Sequence, residues 1–250
     1  MSKKKDPKKL IVFLILVISY FFYNNFTPNT ENFGTSVNKG SDTTSSSLTV
    51  SFVDVGQADC TLIENDGKYA LIDAGNNEDG PLLVKYFESL GIKEFECVFA
   101  THAHEDHIGG MDDIINNFKI KNFYMPDAIT TTKTFEDVLT ALENNKVTFK
   151  TPTTGETFKL QAEVPATFTV LSVNSDESNL NDTSIVLKLK YNTTTFLFMG
   201  DASSKIENTI LDKSIQSDVL KVGHHGSKTS TSNRFLEASP INKKVVVLYF

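Results

Sequence analysis

Three of the five histidines of this chain fall within six residues, in the segment THAHEDHIGG at 101–110. In an extended loop, residues two apart project to the same side, so His102 and His104 can reach one point together. Asp106 and His107 follow where the chain turns into the next predicted helix, and they can converge on a second point nearby. Because imidazole nitrogens and carboxylate oxygens suit zinc-like ions, this spacing predicts a site for two cations. A surface loop that is rich in histidine is the alternative.

The other two histidines, His224 and His225, lie between glycines at the end of the predicted strand DVLKVG. A histidine pair alone is more often a surface or capping feature, but beside the first cluster it can supply the missing ligand for the second cation. Between the two clusters, Asp201 ends another predicted strand at a Gly-Asp turn. Its carboxylate could bridge two metals, or it could cap the helix that follows.

Strands dominate the chain from Leu48 onward, and helices are interleaved with them in both halves. Alternating apolar residues, turn pairs and helical spacing place these elements. The predicted strands cover 48–55, 59–65, 68–75, 96–102, 121–125, 147–150, 155–160, 166–173, 183–190, 194–201, 218–223 and 243–250, and the predicted helices cover 81–91, 110–118, 133–143, 203–212 and 232–238. This order predicts an α/β protein of two sheets with helices outside.

Taken together, these motifs resemble those of the metallo-β-lactamase-fold hydrolases, over about residues 48–250. Within that superfamily the chain is similar to the ComEC-like branch, which includes the hydrolase domain of a competence DNA-uptake channel and a teichoic-acid phosphorylcholine esterase. The segments that carry the similarity are DVGQADC (54–60), LIDAG (71–75), NDTSIVL (181–187), GD (200–201) and KVGHHGS (221–227). The resemblance implies a four-layer αββα sandwich with metals at one edge.

The resemblance also implies six ligands for two divalent ions, with zinc expected and manganese or iron as alternatives. The first ion would be held by His102 and His104, the second by Asp106, His107 and His225, and Asp201 would bridge them. Two such ions lower the pKa of a shared water towards neutrality and so supply hydroxide for hydrolysis. Asp106 and His224 are the implied catalytic residues, with His224 facing the substrate as a candidate general acid. The order of roles of His224 and His225 stays open.

Four further positions are expected close behind the ligands. The branch keeps acids at the positions of Asp59 and Asp73, although local sequence alone indicates only turn residues there. Asn181 and Asp182 occupy the region where many superfamily members have another histidine, and no histidine occurs between residues 108 and 223. Without that further histidine, the first metal is expected to be held less tightly, or to have its coordination completed by a water molecule.

The first 47 residues have a different composition from the rest of the chain. Five lysines precede the apolar run 10–23, in the layout of a secretory signal or a signal anchor. Because no A-x-A cleavage site follows, we predict an uncleaved transmembrane anchor over 10–26, with residues 1–9 in the cytoplasm. A cleaved signal on a secreted protein is the alternative. Residues 27–47 are rich in Asn, Thr, Ser and Gly, which predicts a disordered linker.

The net charge of −7 argues against a broad basic surface for gripping polyphosphate backbones, although a metal pair could supply local positive charge. We expect phosphodiester or phosphoester hydrolysis of nucleic acid or a wall polymer by an extracellular domain at residues 48–250, on a single-pass membrane protein without an obligate protein partner. A β-lactam or other amide or ester hydrolase, and a non-catalytic component of DNA uptake, are the alternatives.

Two details of the domain remain open in the sequence. Cys60 and Cys97 each lie in an apolar stretch, and two separate buried thiols are favoured over a disulfide. The predicted strand 243–250 ends abruptly, where relatives continue into a closing helix, so a C-terminally truncated domain is also considered.

Overall fold

The computed structural model describes residues 46–175, 178–239 and 241–246. The predicted anchor at 10–26 and almost all of the predicted linker lie outside these residues. Within the described ranges, no helix is both long and apolar enough to cross a membrane.

The first sheet has six strands in the order β1-β2-β3-β5-β7-β8. It begins as an antiparallel meander and continues with parallel pairs. Its strands are β1 (Leu48–Phe52), β2 (Thr61–Asn65), β3 (Lys68–Ile72), β5 (Cys97–Phe99), β7 (Phe123–Tyr124) and β8 (Phe149–Lys150). The turn pair Asp66-Gly67 joins β2 to β3 with positive φ at both residues, which matches the twist of a tight hairpin. A separate parallel pair is formed by β4 (Glu94–Phe95) and β6 (Lys119–Ile120).

The second sheet also has six strands, in the order β14-β13-β12-β11-β10-β9. Neighbouring strands from β9 to β12 are antiparallel, and β12, β13 and β14 are parallel. The strands are β9 (Thr157–Leu160), β10 (Ala166–Ser172), β11 (Val186–Tyr191), β12 (Thr194–Phe198), β13 (Ser217–Lys221) and β14 (Ile241–Val246).

Six α-helices and two short 3-10 turns connect the strands of the described ranges. The helices are α1 (Gly80–Ser89), α2 (Glu105–Ile108), α3 (Met111–Asn117), α4 (Lys133–Asn144), α5 (Ser204–Ile210) and α6 (Asn233–Ala238). The 3-10 turns are Leu180–Thr183 and His224–Gly226. Ser and Thr side chains cap α4, α5 and α6, since Thr132, Ser203 and Ser232 each accept a hydrogen bond from the first turn.

Strand residues alternate between two sides, and this alternation builds three buried clusters. In β5, Val98 faces the helices α1, α3 and α4, whereas Phe99 faces the second sheet. In β12, Phe198 faces the first sheet, whereas Leu197 packs with residues of α5 and α6. The layers therefore run helices, sheet, sheet, helices, as the sequence predicts.

Both cysteines are free thiols in this fold. Cys60 precedes β2 and faces the helix side, whereas Cys97 lies between the sheets. Burial raises the pKa of both thiols, so they are held in the protonated, unreactive form. The expectation of two separate buried thiols is confirmed.

The parallel strands deliver the histidines and acids to one edge of the sandwich. Ile72 and Phe99 are register partners at the ends of β3 and β5, and Phe198 and Lys221 are partners at the ends of β12 and β13. Because the carboxyl ends of parallel strands meet at the same edge, the residues that follow each strand lie close together. A backbone hydrogen bond of 2.9 Å from Ile185 to Thr101 joins the two sheets beside this edge.

Candidate metal centre

The histidine-rich loop follows β5 and places its ligands in the predicted way. His104 has extended dihedrals (φ −87°, ψ 152°) and immediately precedes α2. The side chains of His102 and His104 therefore meet, with His102 Nε2 and His104 Nδ1 3.0 Å apart. The first turn of α2 then carries Asp106 and His107 to the other side of the loop.

Asp201 lies between the two histidine groups. Its Oδ1 is 3.2 Å from His107 Nε2 and 3.8 Å from His225 Nε2. Its Oδ2 is 3.8 Å from His102 Nε2. His225 Nε2 is also 3.2 Å from Asp106 Oδ2, so residues from three separate segments converge.

The donor atoms divide into two groups that share Asp201. The groups are Asp106, His107, Asp201 and His225, and His102, His104 and Asp201, and within each group the donor atoms lie within 4.8 Å of one another. Neighbouring donors around a tetrahedral zinc ion stand about 3.3 Å apart, because each bond is about 2.0–2.2 Å long. The observed separations of 3.0 to 3.8 Å are close to this spacing. The structure thus brings together all six predicted ligands, in the predicted division.

Two atoms in the centre of the cluster make no hydrogen bond within the described part of the chain. These are His107 Nε2 and Asp201 Oδ1, both buried and facing one another. A buried polar atom without a hydrogen bond is costly, and a cation between a nitrogen and a carboxylate oxygen would satisfy both. The residues present therefore fit a divalent metal.

The charges of the cluster hold Asp106, Asp201 and His102 in the protonation states that bind a metal, whereas the acids around His107 and His225 raise the pKa of these two imidazoles. Burial raises the pKa of the Asp201 carboxyl, but the His107, His102 and His225 imidazoles outweigh it and hold that pKa well below its usual range. Burial likewise raises the pKa of Asp106, and a hydrogen bond with His225 and the charge of His107 bring it to about 2. Burial, reinforced by the charge of His107, holds the pKa of His102 well below its usual range. Ionised carboxylates and a neutral imidazole are ligand forms at neutral pH.

Asp73 lies behind His107, where the resemblance placed it. It has a left-handed φ of 61° directly after β3, and its Oδ2 is 2.9 Å from His107 Nδ1. Thr101 donates to both carboxylate oxygens, from its backbone N and from Oγ1, each at 2.8 Å. Burial lowers the pKa of His107, but Asp201 and Asp73 outweigh it and raise that pKa well above its usual range. Asp73 therefore directs His107 Nε2 towards the cluster.

Asp59 lies behind His225. Its Oδ1 is 3.4 Å from His225 Nδ1, and its Oδ2 contacts the ammonium of Lys221 and lies 3.8 Å from His107 Nδ1. The backbone of Asp59 is hydrogen-bonded to Asp106 O and to the N of Gly75, both at 2.9 Å. The expected place of Asp59 near the site is thus observed.

Asn181 and Asp182 support the Asp201 turn. Asp182 is buried and accepts a hydrogen bond from Ser203 N, while the Ser184 hydroxyl donates to Asn181 O at 2.7 Å and accepts from Asp201 N at 3.0 Å. Asn181 Oδ1 is buried without a hydrogen bond to any described residue. The capping alternative for Asp201 is wrong, because Ser203 caps α5.

His224 lies at the open side of the cluster. Its side chain is 31% exposed, compared with 7% for His225. Its Nδ1 is 2.9 Å from Thr229 Oγ1, and its Nε2 is 3.7 Å from Asp201 Oδ2. His225, and not His224, belongs to the four-residue donor group.

The loop that carries these histidines has a strained backbone. His224, His225 and Gly226 have positive φ values of 49°, 50° and 79°. Such conformations cost roughly 1 kcal/mol or more at a non-glycine residue, so neighbouring contacts must fix them. The buried carboxylate of Glu207 anchors the far end of this loop, where it accepts hydrogen bonds from backbone and hydroxyl groups.

Residues 53–249 match the model of the metallo-beta-lactamase superfamily. The chain belongs to this superfamily. It is 28% identical to ComE operon protein 3 of Bacillus subtilis over 209 residues, which cover 75% of this chain and 26% of that protein. It is 29% identical to Recombination protein 2 of Haemophilus influenzae over 193 residues, which cover 75% of this chain and 22% of that protein. The chain thus spans about a quarter of the length of these relatives.

A solved structure shows the same fold. The metallo-beta-lactamase fold protein YhfI from Bacillus subtilis matches with a TM-score of 0.54 and 12% identity, over 81% of this chain and 98% of that protein. At this identity the similarity establishes the fold alone.

Sequence reasoning missed the residues that hold the metallo-β-lactamase-fold site from behind. Thr101 and Ser184 give no sequence signal, because hydroxyl residues next to strands are common. The sequence around Lys221 does carry a signal. A lysine at the end of the strand SDVLK, next to the buried Leu220, is unusual unless it is paired.

A substitution at Gly109 tests the packing behind the ligand loop. A Cβ atom there would lie 2.1–2.6 Å from backbone atoms of Asn76 and Asn77. Because backbone cannot move aside as a flexible side chain does, we expect Gly109→Ala to lower the free energy of unfolding by about 3 kcal/mol or more. Denaturant titration measures this loss. Glu88→Ala, an exposed change on α1, should stay within about 0.5 kcal/mol, and equal stability of the two variants would contradict the packing.

Proposed function

We propose that the domain is a metal-dependent hydrolase that cleaves phosphodiester or phosphoester bonds. The observation that supports this most directly is the pair of donor groups that share Asp201. A pair of divalent ions at such a centre lowers the pKa of water, polarises a phosphoryl oxygen and stabilises the charge that develops on it.

The residues of the chain then have distinct tasks in this proposal. His102, His104 and Asp201 would hold one ion, and Asp106, His107, Asp201 and His225 would hold the other. Asp73 and Asp59 fix the orientation of His107 and His225 from behind. His224 is the exposed member of the cluster, so it can hydrogen-bond a substrate oxygen and pass a proton to the leaving group. Thr229 fixes the ring of His224 through Nδ1 and leaves Nε2 directed at the cluster.

The substrate class rests on the similarity to ComE operon protein 3 and Recombination protein 2. Phosphodiesters are anions, and the net charge of the chain is −7, so the ions of the site must supply the local attraction. The motifs shared with the ComEC-like branch support a nucleic acid or a wall polymer carrying phosphodiesters.

A screen with the full-length chain tests this function. The detergent-solubilised protein, loaded with Zn²⁺, Mn²⁺ or Fe²⁺, is offered single- and double-stranded DNA, RNA, bis(p-nitrophenyl) phosphate and p-nitrophenyl phosphorylcholine. We expect turnover of at least one of them, and loss of that turnover in His107→Ala. Turnover of nitrocefin alone would instead indicate a β-lactam hydrolase. Retention of DNA without any turnover would indicate a binding component of DNA uptake.

We also propose that the protein is anchored in the cell membrane by residues 10–26, with the domain outside the cell. The apolar run and the preceding lysines support this. After cell fractionation, the full chain should sediment with membranes, and external protease should cleave the linker in spheroplasts. Recovery of a shortened chain from the culture medium would indicate the secreted alternative.

A further inference from the structure

A buried lysine lies directly behind the candidate metal centre. Lys221 is the last residue of β13 and is 3% exposed, and its ammonium contacts Asp59 Oδ2. Asp59 is equally buried. Charged groups are rarely buried at this depth, because each loses its hydration unless a partner of opposite charge compensates.

Asp59 connects this lysine to a predicted ligand. While Oδ2 contacts Lys221, Oδ1 lies 3.4 Å from His225 Nδ1. The other nitrogen of the same imidazole, Nε2, faces Asp106 Oδ2 at 3.2 Å and Asp201 Oδ1 at 3.8 Å. The His225 ring thus lies between a carboxylate behind it and the donor group in front of it. Such a carboxylate sets the orientation and tautomer of a metal-binding histidine.

The two histidines of the second donor group are supported in different ways. The carboxylate behind His107, Asp73, is held by neutral donors of Thr101. The carboxylate behind His225, Asp59, contacts a cation that comes from the other sheet. Because the His225 loop has left-handed dihedrals, its ring position depends on contacts from outside the loop.

The donor atoms around Asp59 also form a third group that could hold a cation. Asp59, Asp73 and His107 offer three buried donor atoms within 4.8 Å of one another. Lys221 already brings a positive charge to Asp59 in this group. An ammonium there neutralises the excess of carboxylates without occupying the nitrogen and oxygen atoms that face the other two groups.

We propose that Lys221 is a positioning residue, a built-in cation that holds Asp59 in the orientation that aligns His225 and that excludes a third metal ion. This inference rests on the proposed dinuclear centre. The affinity for the ion held by Asp106, His107 and His225 then depends on Lys221, whereas the affinity for the ion held by His102 and His104 does not.

Zinc titration against a chromophoric chelator tests the proposal on the full chain. The wild-type protein should bind two ions and no third. In a His104→Ala background, which isolates the second group, Lys221→Met should weaken the remaining ion about 10–100-fold. In a His225→Ala background, Lys221→Met should change the remaining affinity by less than about threefold, since Asp59 then has no imidazole to align.

Two further variants separate alignment from general damage to the fold. Lys221→Arg keeps the charge and should restore most of the affinity lost in Lys221→Met. Lys188→Met removes a half-buried lysine whose ammonium bonds Ser214 O on the outside of the second sheet, and it should leave both affinities unchanged. If Lys221→Met does not fold, Asp59→Asn in the His104→Ala background replaces it, with the same expected loss.

The outcomes are distinguishable. Equal weakening in both backgrounds, unchanged affinities in both, or uptake of a third ion by the wild type would overturn the role of Lys221 while leaving the proposed function intact. Absence of any bound ion in the wild type would overturn the proposed function, and the inference with it.

Discussion

Asp201→Asn should abolish most of the hydrolysis and release metal from both positions. Asp201 is the one residue common to the two donor groups, and each of its oxygens faces an imidazole nitrogen of a different group. The amide keeps the size of the side chain but removes its charge and turns one oxygen into a donor that repels a cation. We expect the catalytic rate to fall by at least about 10²–10³-fold, the cost of removing one charge-stabilising group from an active site.

Metal analysis and steady-state rates measure this result together. The bound metal should fall below one ion per chain in Asp201→Asn, and added metal should not restore the wild-type rate. Asp212→Asn, which changes an exposed aspartate after α5, is the matched control and should keep both the metal and the rate. A variant at Asp201 that retains two ions and normal turnover would refute the shared-ligand arrangement.

Removal of metal should destabilise the domain strongly. The buried carboxylates of Asp59, Asp73 and Asp201 lie together at one edge, and two central atoms make no hydrogen bond to any residue that the structure describes. An ion present at a thousand times its dissociation constant stabilises the folded state by about 4 kcal/mol. For a domain of this size, that corresponds to a fall of roughly 8–16 °C in the midpoint of thermal unfolding after chelation.

Calorimetry of the chelator-treated and the metal-reconstituted protein checks this expectation. The fall in the unfolding midpoint should be reversed by a divalent transition metal and not by Mg²⁺, because imidazole-rich sites favour borderline ions over hard ones. Asp201→Asn serves as the control, since it removes the ligand common to both donor groups and its midpoint should respond little to either chelator or metal. An unfolding midpoint that is the same with and without chelator would argue against a structural contribution of the ions.

Much of the fold could be predicted from local patterns. Alternation in segments such as TLIEN and CVF specifies which residues face each layer, because side chains of a strand point to opposite sides in turn. The predicted strands run too long at several ends, for example 48–55 against the observed Leu48–Phe52. Pairing decides where a strand ends, and a single segment does not contain its partner.

The amino-acid sequence by itself predicted the candidate ligands of the histidine-rich loop, because the spacing His-x-His-x-Asp-His places donors on two sides of one turn. Only the tertiary structure decided what supports them. It placed Asp201 between the two groups, His225 rather than His224 inside the cluster, and Lys221 against Asp59 across 162 residues of chain. These contacts depend on the register of parallel strands and on the packing of two sheets. Such geometry is set by many distant residues at once, so no local pattern encodes it.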